Sequence, residues 1–132
     1  MKKKTVMAFG SFDGLHDGHH FFISEIKKIG DRIIVVIPPD KIIEQIKKRL
    51  PRFKLEERVS VFKTKYPEIK IVVGDNKLGK WSAIKKFKPS IVALGYDQHS
   101  LKEALENSGI KPMPKIMVID SHKPDIFKSS LI

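Results

Sequence analysis

Apolar and polar positions alternate along this chain in two rhythms. Thr5 to Phe9 is a short β-rich apolar run. From Gly18 to Ile29 the apolar residues Phe22, Ile26 and Ile29 recur at i, i+4 and i+7, which predicts a helix stripe. "IIVVI", Ile33 to Ile37, is continuously apolar, as expected of a strand covered on both faces. "PPD" interrupts it, and Asp40 is placed to cap a helix whose Ile42, Ile43, Ile46 and Leu50 share one face. Leu55 to Tyr66 predicts another helix, stopped by Pro67, and Ile69 to Val73 a third strand. Trp81 to Phe87 predicts a short helix, Ile91 to Leu94 a fourth strand, Ser100 to Asn107 a helix closed by Gly109, and Ile116 to Ile119 a fifth strand.

This β-α alternation predicts one α/β domain over residues 1–132, a five-stranded parallel sheet between two helical layers, in a Rossmann-like three-layer sandwich. Ligands of such sheets bind beyond the carboxyl ends of the strands, where the strand order reverses. The chemically suggestive segments fall there. "GSFDGLHDGHH" follows the first strand, "PPD" the second, "GDN" the third, "GYDQH" the fourth and "DSHKPD" the fifth.

Composition narrows the chemistry. The chain has no cysteine, which excludes disulfides, thiol catalysis and zinc–thiolate sites and fits a reducing, cytoplasmic setting. No apolar run approaches the roughly 20 residues of a membrane helix, and the start "MKKKTVMAFG" turns at once into "GSFDG", unlike a signal peptide. Lys and Arg number 26 against 15 Asp and Glu, a formal net charge of +11. Such an excess fits a nucleic-acid partner, a phosphate-rich small substrate, or merely solvated lysine-rich helix faces. Its spread over many segments favours the last and makes nucleic acid the weaker expectation.

The first loop carries the sharpest signal. Glycines 10, 14 and 18 are spaced neither as a dinucleotide fingerprint nor as a P-loop. Instead "HDGH", His16 to His19, stands where a helix starts near Gly18. Helix N-termini attract phosphate, and imidazoles beside one can donate to phosphoryl oxygens. Asp17 is positioned to cap that helix, and Asp13 to shape the turn.

At these residues the chain resembles the nucleotidylyltransferase superfamily, whose signature is His-x-Gly-His behind a strand ending in Gly-Ser/Thr-Phe-Asp. Here "GSFD" is Gly10 to Asp13 and "HDGH" follows. "KLEERV" at Lys54 to Val59 resembles the family's Glu-x-Arg helix. "KPSIVALGYDQ" at Lys88 to Gln98 is similar to a segment of archaeal FAD synthases, and "FKSSLI" at the end to the family's closing Ser/Thr motif. The resemblance implies transfer of a nucleotidyl group from a nucleoside triphosphate to a phosphomonoester, with a divalent cation, usually Mg²⁺, and no covalent enzyme intermediate. It implies that His16 and His19 hold triphosphate oxygens. Ser11 and Phe12 supply backbone contacts to the nucleotide, beside Asp17 and Gly18. Asp97 touches ribose or base, and Ser129 and Ser130 the outer phosphates. Lys47, Lys48, Arg49 and Arg52 are candidates for phosphate or acceptor binding, and the resemblance implies pairing of two chains as a homodimer.

The sequence departs from the family at two places. Asp17 fills position x of the signature, where a carboxylate repels triphosphate. The tail lacks the arginine that commonly precedes the Ser/Thr pair, leaving His122, Lys123 or Lys128 in its stead. Trp81 suits either the core or the wall of a pocket for a flat acceptor ring. ATP and FMN are the substrates implied most directly. A cytidylyltransferase acting on glycerol 3-phosphate or another sugar phosphate is the alternative, and a non-catalytic nucleotide or RNA binder belongs to a third class.

Overall fold

In the computed structural model, which describes residues 4–120, the strands and helices follow the expected order. They are β1 (Thr5–Phe9), α1 (Asp17–Ile29), β2 (Arg32–Ile37), α2 (Asp40–Lys47), α3 (Leu55–Lys65), β3 (Lys70–Val73), α4 (Ser82–Phe87), β4 (Ile91–Gly95), α5 (His99–Glu106) and β5 (Lys115–Ile119). All strand pairs are parallel and the order is β3-β2-β1-β4-β5. β1 is therefore central, and the order reverses between β1 and β4, where an open α/β sheet forms its crevice.

Alternation within the strands sorts the core into two layers. Val6, Ala8, Ile33 and Val35 point to the face covered by Ile23 and Ile26 of α1 and Phe62 of α3. Met7, Ile34 and Val36 point to the other face, beneath Ile84 of α4 and Leu105 of α5. β1 and β2 are buried on both faces, which is why they read as uninterrupted apolar runs.

Two helix starts differ from expectation. Asp17 is the first residue of α1, and His16 is its cap. Asp40 likewise lies inside α2, behind Pro39, and its carboxylate is used elsewhere. The apolar stripe of α2 is also shorter than predicted. The helix stops at Lys47 because Lys48 turns left-handed (φ 63°), so Ile42 and Ile43 are buried while Ile46 and Leu50 are 56% and 61% exposed.

The layer over α1 and α3 turns on aromatic packing. Phe62 is fully buried, its ring centroid 4.8 Å from Phe12 and 5.1 Å from Tyr66. Truncating a buried phenyl ring costs about 3–5 kcal/mol when the site cannot collapse. Phe62→Ala is expected to lower unfolding stability by that amount, measured by urea denaturation with an unchanged m-value.

Candidate active site at the carboxyl edge of the sheet

The loop after β1 is shaped by what it must pack under. Phe12 has a left-handed backbone (φ 48°), unusual for an aromatic residue, and its ring is buried against Phe62 and 5.1 Å from His19. Asp13 then ties this loop to the distant "PRFK" loop. Its carboxylate accepts N–H bonds from Arg52 (2.7 Å) and Phe53 (2.8 Å), and the Arg52 guanidinium donates to its carbonyl (3.0 Å). Partial burial pushes the Asp13 carboxyl up. The two N–H donors and the charges of Arg52 and Arg58 outweigh it, so the net shift is downward.

α1 begins with a reciprocal cap built from two histidines. His16 Nδ1 accepts the Gly18 N–H at 3.1 Å, and His19 Nδ1 accepts the His16 N–H at 3.3 Å. Gly18 is required for this closeness, because a Cβ there would lie 2.9 Å from His16 Cε1. The rings stack with centroids 3.8 Å apart. With Nδ1 accepting in both, the neutral tautomers carry their protons on Nε2, so each ring offers one N–H donor to the cleft. Burial first, and the neighbouring His16, His20 and Lys47 next, lower the His19 pKa to about 4, with Asp97 opposing. His19 is thus a neutral donor at physiological pH, in the field of a helix N-terminus.

A cleft of about 1840 Å³ opens above this cap. Of the residues the sequence marks, Ser11, Phe12, His16, Asp17, Gly18, His19, Lys47 and Asp97 all line it. Lys47 Nζ stands 3.5 Å from Ser11 Oγ. Lys48 and Arg49 are exposed at the end of α2 and do not line the cleft; Arg52 is engaged with Asp13. His122, Ser129 and Ser130 lie outside the described residues.

Two residues that organise the site escaped sequence reasoning. Arg58, inside the "KLEERV" helix, is 2% exposed and is the buried charged residue among those described. It donates to the carbonyls of Phe53 (3.0 Å), Ser11 (3.1 Å) and Pro38 (3.0 Å) and to Asp40 Oδ1 (2.6 Å). Gln98 of "GYDQ" accepts the Gly95 N–H at 2.7 Å and donates to the Phe9 carbonyl at 2.8 Å, clasping β4 to β1 at the crevice. Their motifs, Glu-x-Arg and "GYDQ", are visible in the sequence, but the partners Ser11 and Phe9 lie far away in the chain, so the roles are not.

A sequence profile of the family described as Cytidylyltransferase-like matches residues 7–132. The chain belongs to that family. Among curated relatives, it is 34% identical over 135 residues to the FAD synthase of Thermococcus sibiricus, covering 99% of this chain and 90% of that protein. It is 38% identical over 112 residues to the FAD synthase of Ferroglobus placidus, covering 82% and 72%. Among solved structures, a lipopolysaccharide core biosynthesis protein from Thermoplasma volcanium superposes with a TM-score of 0.76 at 28% identity, over 92% of this chain and all (100%) of that one. A bifunctional NMN adenylyltransferase/ADP ribose pyrophosphatase from Francisella tularensis, complexed with AMP and a manganese ion, matches 92% of this chain and 38% of its own at a TM-score of 0.61; its 17% identity speaks for the fold alone.

Two outcomes follow from this cytidylyltransferase-like site. Replacing Arg58 by Met leaves three carbonyls and a carboxylate without their donor, and a loss of about 3 kcal/mol or more is expected in chemical denaturation. His19 binds its proton more weakly folded than unfolded, so the unfolded chain takes up more protons between pH 6.5 and about 4. Its contribution is therefore complete above pH 6.5 and is lost on acidification through that window. Unfolding curves measured from pH 7 to 4 are expected to show this decline, and His19→Gln to flatten it.

Proposed function

We propose that this chain is an FAD synthase: it transfers the AMP moiety of ATP to the phosphate of FMN and releases pyrophosphate. The reaction type rests chiefly on the His16/His19 cap at the switch point of the sheet. The substrates rest on the relatives named FAD synthase, which the chain matches over most of its length.

A phosphate oxygen of FMN attacks the α-phosphorus of ATP. The bond from that phosphorus to the bridging α–β oxygen breaks, and pyrophosphate leaves. The attacking oxygen belongs to the FMN phosphate itself, so this direct displacement needs no enzyme nucleophile. Negative charge gathers on the leaving oxygens, and the Nε2–H donors of His16 and His19 meet it in a partly desolvated cleft. Burial lowers the His19 pKa to about 4, so His19 is a neutral Nε2–H donor at physiological pH. Lys47, beside Ser11, supplies a cation for phosphate, while Asp97 after β4 faces the ribose or base.

Asp17 stays exposed at the first turn of α1, so water screens its repulsion of triphosphate. A divalent cation, which would neutralise triphosphate charge, would find Asp17 and Asp97 among the carboxylates at the cleft. Among the described residues no three His, Cys, Asp or Glu converge into a metal cage. No helix among the described residues is long and apolar enough to cross a membrane.

Incubation with ATP, FMN and Mg²⁺ is expected to yield FAD and pyrophosphate, resolved by chromatography. Turnover of CTP with a sugar phosphate in place of this reaction would overturn the assignment. His16→Ala and His19→Ala should each reduce kcat by about 10²–10³-fold, the scale of removing an oxyanion-type donor, with folding checked by circular dichroism. Lys47→Ala should raise the KM of a phosphate-bearing substrate about tenfold.

A further inference from the structure

We propose that Trp81 and the loop before it form the seat for the planar ring of the acceptor; this rests on the reading of the chain as an FAD synthase. Trp81 caps α4 with a left-handed backbone (φ 56°, ψ 33°). A bulky residue holds that conformation only where its surroundings insist on it, and such outliers collect at binding sites. Here the insistence is visible. The indole meets the Phe9 ring edge-on, centroids 6.1 Å apart at 86°, and Asp75 Oδ2 accepts the Ser82 N–H at 3.0 Å, closing the loop behind it. The indole is nevertheless partly exposed and lines the cleft.

The cleft also exposes aliphatic side chains. Ile46 is 56% exposed, Val73 49% and Leu78 58%, and all three line the cleft. An apolar shelf of this kind inside a cleft calls for an apolar occupant. Its position selects which substrate. Ile46 and Lys47 end the helix that follows β2, while Val73 ends β3, the neighbour of β2 in the sheet, and Leu78 and Trp81 follow it. Tyr96 and Asp97 follow β4, on the opposite side of β1. A phosphomonoester held at Lys47 therefore extends its organic part over the apolar shelf, while the nucleotide lies towards the polar β4 loop. The tricyclic isoalloxazine of FMN matches an indole in flatness and apolar area, and Lys77 and Lys80 of the loop line the same cleft as donors for its carbonyl oxygens.

Trp81 is the sole tryptophan of the chain, so its emission reports on this place alone. FMN titrated into the protein is expected to quench it, and the flavin's own fluorescence gives the Kd. Losing an aromatic stacking partner weakens ring binding about tenfold or more. Trp81→Ala should show that rise in Kd and in KM for FMN, with the ATP affinity unmoved. Trp81→Phe should recover most of the affinity. Leu78→Ser, at an exposed position where folding is not at stake, should weaken FMN several-fold, and neither substitution should alter competition by glycerol 3-phosphate, which carries no ring.

The seat is overturned if Trp81→Ala and Leu78→Ser bind FMN as wild type does, or if Trp81→Ala loses ATP and FMN in parallel, the mark of a merely structural residue. FAD formation by wild type with FMN affinity indifferent to Trp81 removes the seat and keeps the synthase reading. Trp81-dependent FMN binding without FAD formation removes the synthase reading and keeps the seat.

Discussion

The guanidinium of Arg58 is where three stretches of chain meet. One nitrogen reaches the carbonyl of Ser11 in the loop after β1, another the carbonyl of Pro38 and the carboxylate of Asp40 after β2, and the third the carbonyl of Phe53 ahead of α3. A buried cation is costly to desolvate, and the pair with Asp40 alone would not offset that cost. The carbonyls change the balance, because they are loop groups that no strand or helix can satisfy. Lysine, with a point charge and a single nitrogen, could not span them; the planar fork can. The position of Ser11, and with it the floor of the cleft, is thus tied to the start of the helix that carries Lys47.

From that anchor the histidine cap follows. Asp13, one residue past the buried Phe12, is tied to the chain just ahead of α3, so the loop arrives at α1 in a fixed direction. An ordinary cap would use Asp or Ser at this place and fill the helix terminus with an oxygen acceptor. Histidine caps with Nδ1 and still has a second nitrogen to spend. Each imidazole therefore satisfies the helix on one side and presents a donor to the cleft on the other. Asp17 next to them does not compete for the cap; it sits in the first turn, where the dipole favours its charge.

The parts legible from sequence are those whose cause is local. Continuous apolar runs marked β1, β2 and β4 because burial on both faces leaves no polar positions. "HDGH" was legible because strand, turn and helix start are adjacent in the chain. Capping was legible in place but not in partner. Asp17 and Asp40 carry good capping side chains, yet the local Gly18 N–H is taken by His16 and the distant Arg58 takes Asp40. The α2 stripe was overextended for a similar reason: Ile46 and Leu50 fit its period, but Lys48 turns left-handed and ends it. Arg58 and Gln98 were illegible in role, since their partners lie 47 and 89 residues away.

Phe12 and Trp81 raise the same physical question, why glycine is passed over for aromatic residues at positive φ. Glycine would relieve the backbone at both positions but would leave the unfolded chain freer and the ring absent. At Phe12 the ring is repaid by the core, through Phe62, and by His19, whose imidazole it helps to desolvate. At Trp81 the contact with Phe9 covers only part of the indole, and the remainder faces the cleft. Packing within the chain buries the first ring, whereas the second packs against the core beneath α4 and stays partly exposed. The exposed part of the indole lies on the cleft, where the proposed acceptor ring would add contact.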